Sequence, residues 1–167
     1  MFLSLNTYVN CVILINEQFF IAFENTFRRH SPPNNYKEEL TMTNFSRIWD
    51  TEVKPLAQAC VTDHKLVQLL GKDYNYTPSQ EEDEYLKDAA KKYKDPCGMY
   101  FISQMIWDVE HALADGREAV AGLAVADVYT VLNRPSYFKD VFLGNENDEE
   151  WKTRAALRDG LYKLMHA

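Results

Sequence analysis

From Met42 onward, apolar residues recur at intervals of three and four, the spacing of a single helix face. Trp49, Val53, Leu56, Ala57 and Cys60 form the first such stripe. Pro55 falls inside it and should kink or restart the helix, because it lacks an amide donor and collides with the preceding turn. Thr62 reads as the cap of a short helix carrying Leu66, Val67, Leu69 and Leu70 and ending at Gly71. After the loop "KDYNYTPS", Thr77-Pro78-Ser79-Gln80 signals another start: a capping threonine, a proline at the first helical position and a glutamine three residues on. That helix is expected to bury Tyr85, Leu86, Ala89, Ala90 and Tyr93.

Asp95-Pro96 opens a longer helix with Met99, Ile102, Met105, Ile106, Val109 and Leu113 on its inner face, stopped at Asp115-Gly116. Residues 117–133 are apolar nearly all round, which places that helix at the centre of a bundle. Arg134-Pro135 breaks it, and "SYFKDVFLG" predicts a short helix closed by Gly144. Asn147 with Glu150 forms a capping-box signature before a last helix bearing Leu157, Leu161 and Leu164. Gly160 inside that helix costs about 1 kcal/mol relative to Ala, a cost that close packing would offset. There is no βαβ alternation and no internal repeat. The pattern predicts an all-α domain over 42–167, an irregular bundle of five to seven helices around the helix at about 117–133.

Residues 1–41 read differently. "YVNCVILI" and "FFIAF" are β-branched and aromatic runs parted by "NEQ", which fits a short β-hairpin turning at Asn16-Glu17. A signal peptide would need a basic start and a small-residue cleavage site, and neither is present. A membrane span needs about 20 apolar residues, and Asn10, Asn16, Glu17 and Gln18 interrupt the run. "RRHSPPNNYK" reads as a linker. Lys37-Glu38-Glu39 requires purine-rich codons, as a bacterial ribosome-binding site does, and Met42 follows at a short distance. The expectation is therefore a native start at Met42 with residues 1–41 as an upstream extension. Such a compact gene start fits a phage or mobile-element origin.

Composition narrows the function classes. The 167 residues are 46% hydrophobic, 26% charged and 13% aromatic, enough for one packed domain without metal or disulfide staples. A net charge of −7 disfavours direct binding to nucleic-acid phosphates or anionic membranes, which requires clustered Lys and Arg. Cys11, Cys60 and Cys97 form no CxxC pair, so reduced thiols in a cytoplasmic protein are expected.

The candidate chemistry is sparse. Asp108 and His111 share one helical face with Gln104 and Asp115, a pattern able to relay a proton or hold a metal, or simply to face solvent. Asp127 lies among Val120, Leu123, Thr130 and Val131; if that face is buried, its carboxylate needs a partner such as Arg117, Arg134 or a tyrosine hydroxyl, or its pKa must rise. Glu81, Glu82, Asp83 and Glu84 open one helix, and Glu149 and Glu150 open another. Such acids complement helix dipoles, form half of the carboxylate set of a helical metal-dependent nucleotide hydrolase, or offer a surface to a basic partner. The Glu-x-x-Asp half that would complete a metal set on a following helix is missing, as are GxSxG, GxGxxG and GxxxxGK[ST]. No cofactor or metal is implied.

The expectation is thus a small acidic protein-binding module acting as an inhibitor, adaptor or regulator, with Glu81, Glu82, Glu84, Glu149 and Glu150 facing the partner. The alternatives are the hydrolase, a nucleic-acid mimic and a subunit of a homo-oligomer.

Overall fold

The computed structural model describes residues 43–73, 75–142 and 148–167, with side chains left aside at 139–142. The hairpin, the linker, the Met42 start, Cys11, Gly144 and Asn147 lie outside the described residues. Among those described there are seven helices and no strand. Helix α1 runs through Asn44–Ile48, a π-helical turn Trp49–Val53 and Lys54–Cys60; α2 is His64–Leu70 and α3 is Gln80–Lys92. Helix α4 is Pro96–Ala114, α5 Glu118–Leu132, α6 Pro135–Phe142 and α7 Glu149–Met165. The all-α class is as the periodicity predicts. Met42–Lys72 and Thr77–Ala167 form one compact unit. Within Asp73–Tyr76, which falls outside it, the Tyr76 amide donates to the Asp73 carbonyl at 2.8 Å and closes a turn.

The core is built from one stripe per long helix. Trp49, Val53 and Ala57 of α1 and Leu66 and Leu70 of α2 are buried with Met99, Ile102, Met105, Val109 and Ala112 of α4. Ala121, Val125, Val128 and Leu132 of α5 and Leu157, Leu161 and Leu164 of α7 complete it. Helix α4 packs on α1, α2 and α5, while α7 packs on α1 and α5. The close approach expected at Gly160 is present: a Cβ there would stand 3.2 Å from Leu56 Cδ1 and 3.7 Å from Val53 Cγ2.

Pro55 does not break α1. The Lys54 amide bonds to the Trp49 carbonyl, a wider i to i−5 turn, one residue before the proline. That widening accommodates the missing donor and the ring's clash with the preceding turn.

Three caps fall later than the sequence predicts. Helix α2 is capped by Asp63, whose carboxylate accepts from Leu66 N at 3.0 Å, and Thr62 stays outside. Helix α3 is capped by Ser79 rather than Thr77, in a reciprocal box with Glu82. Helix α7 is capped by Asp148 rather than Asn147. Helix α4 begins and ends as expected, with Asp95 as cap, Pro96 at the first position and Gly116 at φ 70° beyond its end.

Helix α3 is more peripheral than predicted. Only Ala89 is buried, Tyr85, Leu86 and Tyr93 are half-buried, and Ala90 is exposed. Helix α5 does lie between α4 and α7, but it is not enclosed on all sides. It buries one stripe and leaves Leu123, Asp127 and Thr130 open to solvent.

Candidate functional site

The α4–α5 hairpin turns at residues 115–117, so the two helices run side by side and present a joint outer face. Four of the side chains singled out by sequence, Gln104, Asp108, His111 and Asp127, belong to these two helices. Gln104 Nε2 donates to Asp108 Oδ1 at 3.2 Å. Asp108 lies within the electrostatic reach of both His111 and Asp127. Partial burial pushes the Asp108 carboxyl above its ordinary range, and Asp127 adds to the shift, against the opposing pull of Gln104 and His111. Asp127 is exposed, as are Leu123 and Thr130 on its flanks, so the condition under which it would need a charged partner is not met. Desolvation by the apolar side chains around it still raises its carboxyl. Neither Arg117 nor Arg134 pairs with it; Arg117 Nη2 bonds to Asp115 Oδ2 at 2.6 Å instead.

Next to these acids the hairpin exposes large apolar groups. Trp107 is 53% exposed and Leu123 51%. The Trp107 ring stacks on His111 with centroids 3.8 Å apart, and His111 Nδ1 is held 2.8 Å from the Trp107 carbonyl oxygen. The indole is therefore in the open but fixed. Leu123 stands one turn before Asp127 on α5, which links the apolar and acidic parts of the face. Exposed Tyr162 and Met165 form a separate apolar spot at the end of α7, where Tyr162 touches Tyr129 and His166.

The most buried charge in the protein was not foreseen. Arg154 of α7 is 1% exposed, with Nη1 donating to Asp95 Oδ2 at 3.0 Å and to the Tyr137 hydroxyl oxygen at 2.8 Å. Its Nη2 donates to the Asp95 carbonyl at 3.1 Å. The Tyr137 hydroxyl donates to Asp95 Oδ2, while Asp95 Oδ1 accepts from Gly98 N at 2.8 Å. One aspartate thus caps α4 and ties it to α6 and α7. Burial raises the Tyr137 hydroxyl far above its usual value. Burial alone would lower Arg154, but Tyr137, Asp95, Cys60 and Glu150 outweigh it and hold the guanidinium charged. Arg154 Nε and Glu150 Oε1 are buried without a hydrogen-bond partner among the described residues, and the Arg154–Glu150 contact is long, at 3.8 Å. This constellation is a joint: Asp95, Tyr137 and both terminal nitrogens of Arg154 hold α4, α6 and α7 together.

A second joint has the same design. Asp63, the cap of α2, also accepts from the hydroxyls of Tyr85 and Tyr93, the latter at 3.0 Å. Burial works to raise the Asp63 carboxyl, but these hydroxyls, the Leu66 amide and Lys92 together bring it below the ordinary range. Burial and the Asp63 contact push Tyr85 up to about 12.

The remaining candidate acids are spread out. Glu82 is used in the α3 cap, Glu84 accepts from Gln80 at 3.1 Å, and Glu81 lies 3.9 Å from Lys65. Glu149 pairs with Lys152 at 3.2 Å, and Glu150 Oε2 accepts from Lys94 N at 3.5 Å. Because Lys94 follows the end of α3, the α7 acids meet that end. The acids at 81–84 begin α3, roughly 18 Å away at 1.5 Å per residue. The two clusters therefore stand at opposite ends of α3. Among the described residues, no three His, Cys, Asp or Glu side chains are grouped to hold a metal ion, and no helix is long and apolar enough to cross a membrane. Cys60 is buried, with its thiol pushed up to about 11 by burial, and Cys97 is half-buried. Comparison with protein-family models, curated proteins and solved structures finds no match to this chain.

Proposed function

We propose that this chain acts by binding another protein, as an inhibitor, adaptor or regulator, through the outer face of the α4–α5 hairpin. The observation that carries the reading is Trp107: a half-exposed indole, already immobilised on His111, beside an exposed Leu123. Tryptophan leads the residues that dominate binding energy at interfaces, and a side chain fixed beforehand loses little entropy when a partner covers it. Among the described residues, Asp108, His111 and Asp127 are not grouped to hold a metal ion, which gives metal-assisted hydrolysis no support here.

The test is isothermal titration of whatever protein co-purifies with the full chain from its source cells, against wild type and a Trp107→Ala/Leu123→Ala variant. Affinity should fall by at least about tenfold while Tm stays within about 2 °C. Unchanged affinity in the double variant refutes the reading. A thermal shift with magnesium, manganese or nucleotides that vanishes in Asp127→Asn would replace it with the hydrolase.

A further inference from the structure

The chemistry of the hairpin face specifies the kind of partner. Neither α4 nor α5 contains a single Lys or Arg. Their acids are Asp108, Glu110, Glu118 and Asp127, and of these Glu110 is neutralised by Lys54 of α1. Several acids elsewhere are paired with local cations: Asp83 with Lys87, Asp88 with Lys91, Asp148 with Lys94, and Glu52 with Lys163. Asp127 has no hydrogen bond or ion pair among the described residues, and Asp108 has only the neutral amide of Gln104. Two carboxylates with no Lys or Arg partner among the described residues, Asp108 with His111 in electrostatic reach and Asp127, therefore belong to the hairpin that exposes Trp107 and Leu123, its two most exposed large apolar side chains.

Resting on the protein-binding reading above, we infer that the α4–α5 face docks a basic amphipathic segment, with a Lys or Arg seated between Asp108 and Asp127 and apolar side chains covering Trp107 and Leu123. A cation placed there satisfies both carboxylates at once and has the indole face of Trp107 within the same surface for a cation–π contact. An acidic segment would bring a third negative charge against two that already repel each other. Such a segment reads as a helix with apolar anchors at i and i+3 or i+4 and a basic residue between them.

The probe is a synthetic Leu/Lys amphipathic helix of about 14 residues, roughly 21 Å long, with a Leu/Glu peptide of the same apolar pattern as its opposite. Both are titrated into the full-length protein by calorimetry at low and moderate salt. Preferential binding of the Leu/Lys peptide is expected, weakening as salt screens the exposed acids. Asp108→Asn/Asp127→Asn should weaken it about tenfold, and Trp107→Ala/Leu123→Ala by at least as much. Because the protein is acidic overall, Glu81→Gln/Glu84→Gln serves as the comparison and should change binding less than about twofold.

Equal loss in the Glu81/Glu84 variant, or equal binding of the two peptides, overturns the inference. If Trp107→Ala/Leu123→Ala abolishes binding of both peptides alike, the docking surface stands and the basic-partner assignment falls. Light scattering of a dimer that Leu123→Lys dissociates would give the face to a second copy of the chain and overturn the inference as well. So would failure of both peptides to bind the full chain.

Discussion

Replacing Gly98 by alanine separates two forces that ordinarily run together in a helix. Gly98 is the third residue of α4, in ordinary helical territory, where alanine is favoured over glycine by about 0.5–1 kcal/mol. Propensity alone therefore predicts stabilisation. The surroundings predict the reverse: a Cβ on Gly98 would stand 2.0 Å from Asp95 Oδ2 and 2.2 Å from Arg154 Nη1. Neither group can retreat without loss. Turning Asp95 away gives up its bond to the Gly98 amide, and withdrawing Arg154 leaves a guanidinium that is 1% exposed without its carboxylate. Breaking one side of a buried ion pair costs about 3–5 kcal/mol.

Subtracting the propensity gain leaves a net loss of about 2–4 kcal/mol, or a Tm lower by roughly 6–20 °C for a domain of this size. Gly122→Ala supplies the internal control, since a Cβ there meets nothing within 4 Å and α5 should gain about 0.5–1 kcal/mol. Urea and thermal unfolding of the three proteins check the pair. A Gly98→Ala protein as stable as Gly122→Ala, or more stable than wild type, would refute the account of the Asp95–Arg154–Tyr137 joint.

Three further outcomes follow from the polar groups. Asp63 is held below its ordinary pKa, so its contribution is present above the unfolded value of about 3.9 and is lost as pH falls through the lower folded value. Asp63→Ala should cost about 1–2 kcal/mol at pH 7 as a lost cap, with the gap to wild type narrowing as pH falls below about 3.9 in acid unfolding curves; a gap independent of pH contradicts the assignment. Asp108 has the opposite sign: its folded pKa is raised, so the associated stability is present below about pH 3.9 and fades as pH rises through the folded value. Asp108→Asn should therefore unfold at higher urea than wild type at pH 7 and at similar urea at pH 3.5; lower urea at pH 7 contradicts the assignment. Cys60, buried with its thiol pushed up to about 11, should resist a thiol reagent at pH 8 in the native protein and react at once in urea, whereas rapid native labelling would mean that α1 opens locally.

The sequence made the helices legible and their neighbours less so. Periodicity located all the long helices because each buries one regular stripe. The caps slipped by one or two residues where several capping residues stand together, as in "VTDH" and "TPSQ". At the first of these, Asp63 wins because two tyrosines from α3 also bond to it, 22 and 30 residues away, a reason no local reading contains. Helix α5 was expected to be enclosed because it is apolar all round, but much of that character is Ala and Gly. Small residues raise apparent hydrophobicity while leaving little area to protect, so one side of the helix can stay open. Arg154 did carry a signal: it sits three residues before Leu157 and seven before Leu161, in register with the core stripe. A cation in that register is either a misread helix or a buried ion pair, and its partner on α4 is 59 residues away.

The two joints explain why the open face is on the hairpin. Helix α3 buries only Ala89, too little apolar surface to secure a helix of 13 residues, and two tyrosine hydroxyls on the Asp63 cap make up the deficit. Helix α6 is fastened in the same way through Tyr137 on the Asp95 cap. In both cases a carboxylate already fixed at a helix start accepts a second helix at little further entropic cost. Peripheral helices can thus be attached by single polar contacts, while α4, α5 and α7 carry the apolar core. None of those contacts draws on the outer side of α4 and α5, so Trp107, Leu123, Asp108 and Asp127 serve neither joint nor core. They are the side chains whose presence folding does not explain, and that is the reason to look for a partner there.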